Sequence, residues 1–127
     1  MYRLRDKTVV IFLALALTGC ASRPIHPGAV NKFDSDAYDI LLVTDNVIQT
    51  TRADLSNNVF STTVAVNVKN ALNGLITAYN AADIAYKTYH ASAIAGTATP
   101  AQQAAVTNTL GQVQVATTVF VNAKAGK

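Results

Sequence analysis

The chain has 127 residues, of which half are hydrophobic and only 13% charged, with 10 Lys and Arg against 7 Asp and Glu. A single Cys excludes an intramolecular disulfide and a Cys-rich metal site. Arg3, Arg5, Asp6 and Lys7 fall in the first 19 residues, so the remainder carries 7 basic and 6 acidic side chains, and this near balance, without any cluster of Lys or Arg, excludes a phosphate-binding surface and a nucleic-acid partner.

Residues 1–19 have the layout of a secretory signal: a basic start, an apolar run from Val9 to Leu17, then small residues before a cut site. The apolar run falls short of the roughly 20 residues that span a bilayer. Its end, Leu17-Thr18-Gly19-Cys20, matches the lipobox of bacterial prolipoproteins, and the segment resembles a bacterial lipoprotein precursor. The resemblance covers only these first 20 residues. It implies that the Cys20 thiol carries a diacylglycerol, that cleavage falls before Cys20, and that the membrane is a partner through the N-terminal lipid. Two or three acyl chains anchor firmly where one holds only marginally, at ~0.8 kcal/mol per buried CH₂. Ala21 rather than Asp follows the Cys, which by the same resemblance points to the cell envelope at the outer membrane, facing the periplasm.

Residues 20–33 read as the lipidated Cys and a flexible tether, because Pro24, Pro27 and Gly28 interrupt any regular pattern. His26, between the two prolines, has no acidic neighbour in sequence and reads as a solvated linker residue. The body, 34–127, opens on Asp34-Ser35-Asp36, with Asp34 expected as N-cap and Phe33 and Tyr38 as a hydrophobic staple. Ala37, Leu41, Thr44, Ile48, Thr51 and Leu55 recur at spacings of 4 and 3, which places them on one helix face; Ser56-Asn57-Asn58 suits the turn after it.

Val68, Leu72, Leu75, Tyr79, Ala82, Tyr86, Tyr89 and Ala93 continue the same spacing as a heptad-type seam, and Gly96 supplies a stop. Thr99, Pro100 and Gln102 then form an N-cap, first-turn proline and capping box for a third helix with the stripe Val106, Leu110, Val113, Thr117 and Phe120. Three amphipathic segments joined by short breaks predict an all-α, antiparallel three-helix bundle with a long middle helix. Against this stand the period-two stretches Thr63–Val68 and Gln112–Val115, which alternate as strands do. β-branching costs a helix only a few tenths of a kcal/mol per residue, and packing overrides it.

For chemistry the sequence offers little. No Glu occurs anywhere, so the carboxylate-rich metal sites of helical bundles have no counterpart; neither His has a Ser and Asp constellation in sequence, and no Gly-rich phosphate loop is present. The expectation is no enzyme, no metal and no cofactor. Tyr79, Tyr86, Tyr89 and His90 are the candidate interaction surface, weighed against plain packing within the bundle. The ending Ala123-Lys124-Ala125-Gly126-Lys127 invites comparison with the murein-linked lipoproteins of Gram-negative bacteria, whose terminal Lys joins peptidoglycan. Those are single long helices, whereas Gly96–Pro100 breaks this chain, so linkage through Lys127 stands as a minor alternative. The function expected is a small membrane-anchored lipoprotein with a structural role, or one binding a protein partner or itself. The alternative is a periplasmic carrier of a small hydrophobic ligand held in the seam.

Overall fold

The computed structural model describes residues 25–126. Within it the chain forms three helices, α1 (Lys32–Ser56), α2 (Thr62–Ile94) and α3 (Pro100–Lys124), and no strand among the described residues. They make the expected antiparallel three-helix bundle, with the longest helix in the middle. The 33 residues of α2 extend about 50 Å and the 25 of α1 about 37 Å at ~1.5 Å per residue. The most extensive contact is between α2 and α3, α1 lies chiefly on α2, and α1 and α3 touch only slightly.

The stripes bury as their spacing demands. Ala37, Leu41, Thr44, Ile48 and Thr51 of α1 face Val68, Leu72, Leu75, Ala82 and Tyr89 of α2 and Val106, Leu110, Val113, Thr117 and Phe120 of α3 in one core. Three of these positions are Thr, a residue whose hydroxyl needs a partner when buried. Each hydroxyl donates to the carbonyl four residues back: Thr44 to Ile40 at 2.8 Å, Thr51 to Val47 at 2.8 Å and Thr117 to Val113 at 2.7 Å. Their methyl groups are left to pack.

The turns follow local chemistry. Asn58 takes φ +54° after α1, a left-handed conformation that Asn tolerates, and Gly96 takes φ +72° after α2. Thr99 and Gln102 form the capping box expected of them, with Pro100 in the first turn. Both period-two stretches are helical. Their alternation corresponds to no buried face, since Val66 and Val115 are left exposed while Val68 and Val113 reach the core.

The start of α1 differs from expectation. Asn31, not Asp34, is the N-cap, and its side-chain oxygen accepts the Asp34 N–H at 2.9 Å. The Asp34 carboxylate instead accepts from the Val30 N–H just before the cap and from His90 of α2. Phe33 turns to the Tyr89 ring, edge-on at 5.1 Å, instead of pairing with Tyr38 as a staple.

Candidate functional site

Residues 25–31 form a short strap that lies against α1 and leads into it. The His26 backbone N–H donates to Ser35 Oγ at 2.8 Å, and the Val30 N–H donates to Asp34 Oδ2 at 2.9 Å. The His26 ring pairs with the Asp39 carboxylate through Nε2 and sits edge-on to Tyr38 at 4.7 Å. The reading of His26 as a solvated linker residue is therefore corrected. The helical turn of α1 brings Ser35, Tyr38 and Asp39 onto the side over which the strap crosses, at spacings of 3 and 4 that share a face.

Asp34 lies beneath the strap and is completely buried, as is Ser35 nearly so. A buried carboxylate is tolerated only when its oxygens are satisfied by donors. Here Val30 N–H and His90 Nδ1 supply them, the latter at 2.8 and 2.9 Å to the two oxygens. Because the carboxylate can only accept, Nδ1 of His90 carries the hydrogen. The Tyr86 hydroxyl is pushed well above its ordinary range, first by burial, then by the negative charge of Asp34. Buried side-chain nitrogen and oxygen atoms in the described residues all have partners.

Of the four residues expected to form an interaction surface, only two come together. Tyr86 and His90 stack at 5.6 Å, and with Tyr38, His26 and the strap residues Pro27, Gly28 and Ala29 they border a half-open pocket of about 220 Å³. Tyr89 is a core residue, 4% exposed, and its hydroxyl accepts a hydrogen bond from Asn31 Nδ2 at 3.0 Å. Tyr89 is thus removed from the candidate surface. Tyr79 lies half-buried farther along α2, packed on the core, with its hydroxyl pushed upward by burial and by the charges of Asp83 and Asp45. Cys20 and Lys127 lie outside the described residues.

Two Asp–His pairs, Asp34–His90 and Asp39–His26, converge on this end of the bundle. A carboxylate behind an imidazole fixes its ring orientation, as in hydrolase triads, but the triad also needs a hydroxyl or thiol within hydrogen-bond reach of the imidazole. Among the described residues neither ring has one. No group of three or more His, Cys, Asp or Glu in the described residues is arranged to hold a metal ion, and no described helix is long and apolar enough to cross a membrane. What the arrangement does is fasten: the strap, the start of α1 and the end of α2 are tied by one buried carboxylate.

Sequence spacing could not reveal these pairs, since Asp34 and His90 stand 56 residues apart and belong to different helices. The one local signal was Asn31, a capping residue three positions before Asp34, which places Asp34 in the first helical turn and not at the cap. Compared with protein-family models, curated proteins and solved structures, the chain matches none.

Proposed function

We propose that this chain is a small membrane-anchored lipoprotein of the bacterial cell envelope, acylated on Cys20 and seated at the outer membrane, with a structural or protein-interaction role and no catalytic activity. The observation that carries the reading is the sequence Leu17-Thr18-Gly19-Cys20 at the end of a basic and then apolar leader. The strap supports it. With residues from His26 onward fixed to the bundle, only the short run 20–25 is left between acyl chains and body, a reach of about 20 Å at ~3.3 Å per residue. The anchor would then hold a rigid body close to the bilayer and present the exposed helix faces to whatever lies beside it.

Membrane fractionation of the wild type and of Cys20→Ser tests this. The wild type is expected in the membrane fraction with an acylated N-terminal peptide, and the variant in the soluble fraction with an unchanged helical circular-dichroism spectrum. Retention of Cys20→Ser in the membrane, or an unacylated Cys20 in the wild type, would refute the anchor.

A further inference from the structure

At the end of the bundle away from the strap, the last turn of α1, the turn 57–61 and the first turns of α2 form an open groove of about 960 Å³. Leu55, Phe60, Val66 and Leu72 give it an apolar lining, and Arg52 and Lys69 are its charged members. No acid lines it. Neither Arg52 nor Lys69 has an ion-pair partner among the described residues, whereas Lys32 is paired with Asp36 and Lys87 with Asp83. Lys124 stands over the Phe60 ring at 6.0 Å and the Phe120 ring at 5.4 Å, adding positive charge to the same end.

We propose that this groove is a docking site for an acidic segment of another protein, one that places carboxylates on Arg52 and Lys69 and apolar side chains between them. The inference deepens the proposed interaction role and rests on it. Charge complementarity selects the occupant: two unpaired cations over an apolar floor match a segment of Asp or Glu interleaved with Leu or Phe. A second copy of this chain matches poorly, because five of its six described acids are engaged, Asp34 and Asp39 with His, Asp36 and Asp83 with Lys and Asp45 with Gln49, which leaves Asp54 alone to meet two cations. An acyl chain is also a poor occupant. The groove is open along one side, so a lipid tail would keep apolar surface in water, while a folded peptide brings its own cover for that side.

The test is site-specific photocrosslinking in the cells that express the protein natively, using the full chain. p-Benzoylphenylalanine replaces Val66 or Thr62 in the groove, and Ile84, exposed elsewhere on α2, as the control position. Mass spectrometry of the adduct identifies the joined segment. The expected result is an adduct from the groove positions and not from Ile84, mapping to a segment of another protein that contains several Asp or Glu among apolar residues. Arg52→Glu with Lys69→Glu should cut its yield at least about tenfold, Arg52→Gln with Lys69→Gln by less, and Arg52→Lys should retain it. Both cations are exposed, so the thermal midpoint should be unchanged. An adduct with lipid, with a second copy, or with a segment lacking acids would overturn the proposal, as would no groove adduct or one indifferent to charge reversal. Fractionating the same cells separates the two readings. A soluble wild type that still forms the acidic adduct sinks the anchor alone, and a membrane-bound protein without the adduct sinks the groove alone.

Discussion

Replacing Asp34 by Ala removes the acceptor shared by Val30 N–H and His90. Hydrogen bonds to a charged group contribute about 1.5–3 kcal/mol each, and leaving a buried donor without its acceptor costs about 1–3 kcal/mol. The carboxylate is fully buried but the His90 side chain is 29% exposed, so water can recover part of its loss. The expected cost of Asp34→Ala is about 3 kcal/mol, and for a domain of this size that lowers the thermal midpoint by about 12–20 °C. His90→Ala leaves Asp34 with the Val30 N–H and should cost about 1–2 kcal/mol. Urea unfolding of both variants and of the double variant, followed by circular dichroism, gives the coupling, expected at about 1–2 kcal/mol. Equal costs for the two single variants, or a loss below about 1 kcal/mol for Asp34→Ala, would refute the reasoning.

Tyr89→Ala should destabilise by about 3–5 kcal/mol because its ring is core, and Tyr79→Ala by clearly less because its ring is half-buried; chemical denaturation ranks them. Stability should fall as pH rises above about 10, since the fold raises the Tyr86 hydroxyl above its unfolded value: below that value both states hold the proton, and beyond it the unfolded state releases it first. Urea midpoints between about pH 8 and 11 check this, and the fall should be shallower in Tyr86→Phe. Thr99→Ala, which removes one half of the capping box at the start of α3, should cost about 1 kcal/mol in the same assay.

The helices and the core were legible because their signals are local. A side chain repeating at 3 and 4 positions needs only its own helix to declare a face, and Thr99, Pro100 and Gln102 cap α3 from within a single turn. The site was not legible for the opposite reason. Asp34 resembled a cap because caps are where Asp commonly serves, and only a fold that places the end of α2 beside the start of α1 gives it His90 and Tyr86. His26 meets Asp39 across 13 residues that first had to become a strap and a helix. The heptad seam also gave Tyr89 and Tyr86 equal standing. Their different depths come from Phe33 and Asn31, which cover Tyr89 from the start of α1 and its cap.

The uneven contact among the helices gives the molecule a grain. α2 and α3 form a hairpin joined by a five-residue link, the kind of near-neighbour pairing that closes with little chain entropy, while α1 adheres chiefly to one side of it. Amides of α1 should therefore exchange with deuterium through partial openings that leave the hairpin shut, in advance of those of α2 and α3. A load applied at residue 25 meets this weaker helix first, through the strap's bonds to Ser35 and Asp39, near the end where Asp34 rivets it to His90. A pull along its own axis would make α1 shear past α2 along its full buried stripe, whereas a pull across it would peel the helix off one turn at a time, so the least adherent helix resists most when it is drawn lengthwise.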